Sequence, residues 1–304
     1  MEKASEWLLS FNSSRQEKIQ ALIQERKKSF KKAVTVSFTG GKGGVGKTSI
    51  ALKFAKELAN QGHKTLLVDC DYNLSNTAIR LGLPLNNSNF YSLLTAEKSF
   101  EDCLHIEGDF HLLSACNGDL DLFDSKLKFE ELIVDIINGH EDEYDFIMLD
   151  CPAGLSREAL ILNAYCDQRI FVVTPDKASI TDSYSLMKVL SAKFGVKENH
   201  LLVNMHLTQG QFQRVALTIS ETVENFLGCR TNILGGLKRI DVEHSRFDKF
   251  FLHNVESGFH KKFLKVVKKY SDDLSRSLGE RNTPSFQRSS LPKERLEQEV
   301  QTIS

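Results

Sequence analysis

Lys47 and Thr48 close the run Gly41-Lys42-Gly43-Gly44-Val45-Gly46-Lys47-Thr48, which is followed by Ser49. The run satisfies G-x-x-x-x-G-K-[ST] and sits between an apolar segment and a segment of helical period, the setting in which that spacing does chemistry. Glycines let successive backbone N–H groups converge on phosphate oxygens, and a helix N-terminus behind them adds a positive dipole. Lys47 then reaches the terminal phosphates, and the Thr48 hydroxyl ligates Mg²⁺. The loop reads as a nucleoside triphosphate site in which residues 41–49 surround the phosphates.

Carboxylates complete that chemistry. Asp69 and Asp71 are separated by one residue at the end of an apolar run, Leu67-Val68. Placed there, the pair can orient a water and hold hydrated Mg²⁺. Asp150 ends a second run, Phe146-Ile147-Met148-Leu149, and an acid at such a strand end holds the metal's water shell. The expected metal set is Thr48, Asp69, Asp71 and Asp150. Gly154, four residues on, offers a backbone free to approach phosphate.

The elements that position these groups are short. Apolar runs at 34–38, 65–68, 110–113, 146–149, 170–174 and 201–203 read as buried strands. Helical patterns at 48–61 and 179–194 lie between them. Alternation of this kind implies βαβ units and a doubly wound α/β fold with a mainly parallel sheet, whose ligands bind beyond the strands' carboxyl ends. The polar motifs fall at those ends. In the segment that opens the helix after residue 174, Thr181 or Asp182 is the expected cap.

Several strings together resemble a known family. Lys42-Gly43-Gly44-Val45-Gly46-Lys47-Thr48 is similar to the deviant Walker A motif of the MinD/ParA superfamily of P-loop ATPases. Asp69-Cys70-Asp71 resembles its first switch, and Asp150-Cys151-Pro152-Ala153-Gly154 its second. Thr174-Pro175, Ser179-Ile180-Thr181-Asp182 and Tyr184 are most similar to the FlhG (FleN) branch, which regulates flagellar number. The resemblance covers about residues 33–270. It implies ATP and Mg²⁺ as cofactors, with an ATP-dependent homodimer in which Lys42 reaches the partner's phosphates. It also implies slow hydrolysis with Asp71 positioning the attacking water, Asp69 supporting it, and Asn204, in Leu202-Val203-Asn204-Met205, recognising adenine. Catalytic roles thus fall to Lys42, Lys47 and Asp71. The departure is at Gly235-Gly236-Leu237-Lys238-Arg239-Ile240-Asp241, where the family's proline is missing. The FlhG partner is the GTPase FlhF, contacted through an N-terminal motif; Arg15 to Leu22 here matches it at little more than Gln16.

Composition bounds the alternatives. The 304 residues carry 39 Lys+Arg against 40 Asp+Glu, with 41% hydrophobic and 26% charged residues. Those are globular proportions, and the balance gives no support to a constitutive DNA binder. The six cysteines include no C-x-x-C pair, which disfavours an iron–sulfur carrier on the same fold and suits reduced thiols in a cytoplasmic protein. No signal peptide and no membrane-spanning run are expected, so any membrane contact would be peripheral, on the inner face.

Three zones follow: a basic helical arm at 1–32, the ATPase domain at 33–278, and a Ser/Pro/Arg-rich tail at 279–304 expected to be disordered. The arm holds a Trp7-Leu8-Leu9 knot and a capping box at Ser14–Glu17, and could dock a partner, touch a lipid interface or pack on its own domain. At 259–278, Phe259, Phe263, Val266, Tyr270 and Leu274 form a stripe flanked by lysines. Such a helix can lie on an anionic membrane, as the family's does, or serve as the last core helix. The neutral, proline-interrupted residues beyond it favour packing.

Overall fold

A computed structural model describes residues 33–71, 77–83, 92–93, 97–114 and 129–281. The arm at 1–32, Cys116 and the tail from 282 lie outside the described residues, so the readings that rest on them stay expectations.

In chain order the elements are β1 (Val34–Thr39), α1 (Lys47–Asn60), β2 (Thr65–Asp69), α2 (Thr77–Arg80), β3 (Leu104–Glu107), β4 (Phe110–Leu113), α3 (Phe129–His140) and β5 (Phe146–Asp150). There follow α4 (Arg157–Tyr165), β6 (Gln168–Val173), α5 (Lys177–Phe194), β7 (Glu198–His206), α6 (Gln209–Leu227), β8 (Arg230–Lys238), α7 (His244–His253) and α8 (Gly258–Arg281). The strands form one sheet in the order β3-β4-β2-β5-β1-β6-β7-β8. Every adjacent pair is parallel except β3–β4. The doubly wound, mainly parallel α/β architecture is therefore as the sequence implies.

The expected strands are all present, mostly with slightly different ends, and two further strands appear. β3 is a four-residue antiparallel edge whose pattern, half-buried then exposed, carries little apolar signal. β8 contains Gly235-Gly236, which breaks its apolar run in the sequence. The structure needs the second glycine: a Cβ on Gly236 would lie 2.5 Å from the Phe212 ring of α6. Pairing of β7 with β8 also slips between Leu201 and Leu202.

One face of the sheet packs against α3, α4, α5 and α6; the other packs against α1, α7 and α8. The α8 stripe belongs to this second core. Phe263, Val266, Val267, Tyr270 and Leu274 are buried, and Phe54 of α1 meets Phe263 and Tyr270 edge-on with ring centroids 6.1 and 5.4 Å away. Burying one Phe of this kind stabilises by about 1.5–3 kcal/mol. The stripe is core, and Lys261, Lys265 and Lys268 face solvent. No helix among the described residues is long and apolar enough to cross a membrane.

α8 is also tied to α1 by charge. Lys53 and Glu57 form a buried pair at 3.1 Å, His260 Nδ1 lies 3.4 Å from the same carboxylate, and the Lys53 ammonium faces the Phe251 and Phe263 rings.

Candidate nucleotide site

β1 lies between β5 and β6, so the loop after it leaves the centre of the sheet where flanking connections diverge. Gly44 and Gly46 take φ of 77° and 95°, a left-handed turn open to glycine, and the Gly46 carbonyl accepts from Ile50 N–H to start α1. Neighbouring elements strap the turn down. Gly41 N–H donates to Ser183 Oγ at 3.2 Å, and a Cβ there would lie 2.1 Å from the Asp182 carbonyl carbon of α5. Gly154 N–H donates to the Gly40 carbonyl at 3.2 Å, joining the segment after β5 to the loop. Asn204 Nδ2 donates to the Val45 carbonyl at 2.9 Å. Beside Gly43 and Gly44 nothing approaches within 4 Å of where a Cβ would be, so the cradle is open where phosphates would enter.

The two strand-end acids converge. Asp69 of β2 is the register partner of Asp150 of β5, and both are buried. Asp69 is occupied, receiving the Thr77 hydroxyl at 2.5 Å and Asp71 N–H at 3.1 Å. Asp150 Oδ1 is buried without any hydrogen-bond partner. Burial, then the charge of Asp69, pushes the Asp150 carboxyl up to about 7, against the Thr48 hydroxyl and the Lys47 ammonium. A buried like-charged pair with one unpartnered oxygen, beside a threonine hydroxyl, fits a hydrated divalent cation.

Asp71, half-buried just past β2, and Gly154 stand at the same edge of the sheet. Ser49 is different: it is buried in the first turn of α1. Asn204 is buried, and one of its two amide N–H donors is taken by the Val45 carbonyl, which leaves the second N–H and Oδ1 for a base.

Several residues of the site were not expected from sequence. Thr77 fixes Asp69. The cap of α5 is neither Thr181 nor Asp182; it is Asp176, whose carboxylate accepts Ser179 N–H at 2.9 Å. The same carboxylate takes the Thr174 hydroxyl and the Lys42 ammonium, the latter at 3.1 Å. Burial pushes the Asp176 carboxyl up, but these three donors outweigh it and hold it near 2. A capping rule applied one turn earlier finds Asp176, since Ser179 stands three residues on. A cleft of about 360 Å³ opens beside the loop, lined by Gly44, Pro175, Met205, Leu207, Gln211 and Arg239 among others. Arg239 N–H bonds the His206 carbonyl at 3.0 Å, holding the proline-less segment after β8 against β7.

The family model AAA_31, an AAA domain, matches residues 33–201, more than half of the chain. The chain belongs to the MinD/ParA superfamily of P-loop ATPases. An ATP-binding protein of Methanocaldococcus jannaschii is 32% identical over 50% of the chain and 57% of its own length. The chain thus spans little more than half of that relative. The antiactivator FleN of Pseudomonas aeruginosa is 24% identical over 66% of the chain and 71% of FleN. Among solved structures, the septum site-determining MinD of Pyrococcus horikoshii complexed with Mg-ADP matches at a TM-score of 0.64. It is 21% identical, with 80% of this chain and 97% of that one covered, a likeness of fold. The loop from Gly41 to Thr48 follows β1, and the segments Asp69–Asp71 and Asp150–Gly154 lie at the ends of β2 and β5.

Proposed function

We propose that the chain is a MinD/FlhG-like ATPase switch. It binds ATP with Mg²⁺, closes into a sandwich dimer, hydrolyses slowly and returns to monomer. The observation that carries this reading is the Asp69–Asp150 pair with its unpartnered oxygen, placed beside Thr48 and the open glycine cradle.

Backbone N–H groups of residues 43–46 and the N-terminus of α1 bind the phosphates, and Lys47 neutralises their charge. Thr48, Asp150, Asp69 and Asp71 would hold the Mg²⁺ shell; the ion supplies charge neutralisation on the phosphate oxygens. Asp71 orients the attacking water. Lys42, exposed at the rim, completes the partner's site. Asn204 anchors the loop by its amide and accepts from the base by Oδ1, with Met205 and Leu207 as the apolar wall of the base cleft.

The output we assign is the number or placement of flagella or of another polar or membrane structure, with a regulatory GTPase of the FlhF type as partner and peripheral membrane contact. The likeness to FleN and the Thr174–Tyr184 string support the flagellar branch. Light scattering of the chain with ATP and Mg²⁺ tests the switch: Asp71→Ala should accumulate as an ATP-bound dimer, and a mass that stays monomeric sinks the sandwich. Flagellar counts in a deletion strain test the output. A DNA-partition ATPase is the second reading, favoured by the exposed row Lys261, Lys265 and Lys268. It requires ATP-dependent DNA binding that falls steeply with salt.

A further inference from the structure

Lys42 is the one loop residue whose proposed work lies in the other subunit, yet within a single chain its ammonium already has a partner. Its Nζ lies 3.1 Å from Asp176 Oδ1, with the two side chains 46% and 44% exposed. The carboxylate does not move to meet it. Oδ1 is fixed by Ser179 N–H at the head of α5, and Oδ2 by the Thr174 hydroxyl at the end of β6. Asp176 is therefore a rigid anchor on the scaffold, whereas Lys42 is a long, flexible side chain on an exposed turn. Both line the same cleft beside Gly43 and Gly44.

We propose that Asp176 is a positioning residue that holds Lys42 in cis and so sets the threshold at which two ATP-loaded subunits close. The inference rests on the sandwich reading and adds a regulator to it. One ammonium cannot stay on Asp176 and also reach a phosphate across the interface, so each subunit must open its own pair before it can complete its partner's site. Half-exposed ion pairs are weak, so this is a graded threshold and not a lock. An exposed pair of this kind changes an equilibrium by about two- to fivefold, and two open per dimer, giving roughly four- to 25-fold in the dimer dissociation constant. In the switch proposed above nucleotide binds before the subunits close, and bound phosphate offers Lys42 a stronger site than a carboxylate half in water.

Asp176→Asn removes the charge but keeps a side chain that caps α5, and Asp176→Ser is a second capping variant. The first measurement is the apparent dimer dissociation constant in Mg²⁺ and a non-hydrolysable ATP analogue, by sedimentation. Both variants are expected to dimerise at roughly four- to 25-fold lower protein concentration than the wild type. The second is acylation of Lys42 in the nucleotide-free monomer, read by mass spectrometry. It should rise in both variants, because an amine released from its carboxylate is more reactive. A damaged fold would weaken dimerisation, so tighter association is not a structural side effect. A wild-type dimer with unchanged constants in both variants overturns the latch alone. Unchanged Lys42 acylation shows no pair in cis and also overturns it. A wild type that stays monomeric overturns the sandwich reading, and the latch with it.

Discussion

Asp69 and Asp150 are register partners on adjacent parallel strands, so two carboxylates leave the sheet side by side while 1% and 2% exposed. Like charges buried together raise the proton affinity of one member, and here that member is Asp150, the one with an unpartnered oxygen. The ordinary Asp value is about 3.9. A folded value raised to about 7 means that the fold binds this proton more tightly than the unfolded chain does. Stability from this group is then greatest at low pH, falls as pH rises through that window, and reaches a constant penalty above it. The nucleotide-free protein should melt higher at pH 6 than at pH 8. Asp150→Asn should melt several degrees higher than wild type at pH 8, flatten that slope, and lose the added stabilisation by Mg²⁺ and nucleotide. Differential scanning calorimetry at both pH values reads all three; a wild-type slope of the opposite sign defeats the assignment.

The glycines of the loop are not equivalent. A Cβ at Gly41 would meet the backbone of Asp182 and Ser183 at 2.1 and 2.3 Å, and backbone cannot yield as a side chain can. At Gly43 the space is open and the φ is not left-handed. Gly41→Ala should therefore displace α5 from the loop, lowering the melting temperature and abolishing nucleotide binding. Gly43→Ala should fold with wild-type stability, and any loss should appear only in nucleotide affinity. Thermal melts beside fluorescent-nucleotide titrations separate the two, and equal stability loss in both variants contradicts the contact.

What the sequence made legible was whatever is local. Gly41 to Thr48 carries its geometry in its own spacing, and continuous apolar runs such as Ile147–Leu149 announce buried parallel strands. What it hid was decided by packing between distant segments. β8 reads poorly because Gly235-Gly236 interrupts its apolar run, and Gly236 is there to make room for Phe212, a residue of another element. Asp176 reads as a loop acid until α5 begins beneath it and Lys42 arrives from 134 positions away. The lysine-flanked stripe of α8 looks the same on a membrane or on a core; only its contacts with Phe54 decide.

The contact between α8 and α1 holds a buried charge that must stay paired. Lys53 is 1% exposed, and burial lowers its pKa while Glu57 opposes that shift. Burial, then the charge of Lys53, also lowers the pKa of His260, against Glu57. Removing the acid strands the ammonium, a class of change that costs about 3–5 kcal/mol. Glu57→Ala should lose that much by urea denaturation, whereas Lys53→Met with Glu57→Gln should recover most of it. A single variant as stable as wild type would show that the pair is not buried in solution.

Asn204 carries the last test, because its two ends make separable claims. Its Nδ2 holds the Val45 carbonyl at 2.9 Å, next to Gly46, where a Cβ would lie 2.6 Å from the same nitrogen. That contact shapes the phosphate loop and is indifferent to the base. Its Oδ1, in our reading, accepts from adenine. Asn204→Asp keeps an acceptor but loses the donor and sets a negative charge against a carbonyl; Asn204→Ala loses both. If the loop contact dominates, both variants weaken ATP and GTP by a similar factor, about fivefold or more for a lost buried hydrogen bond. If the base contact also acts, Asn204→Ala narrows the ratio of ATP to GTP affinity beyond that common loss. Competition titrations with the two nucleotides give both quantities from one experiment. A variant that binds ATP as the wild type does would remove Asn204 from the site on either count.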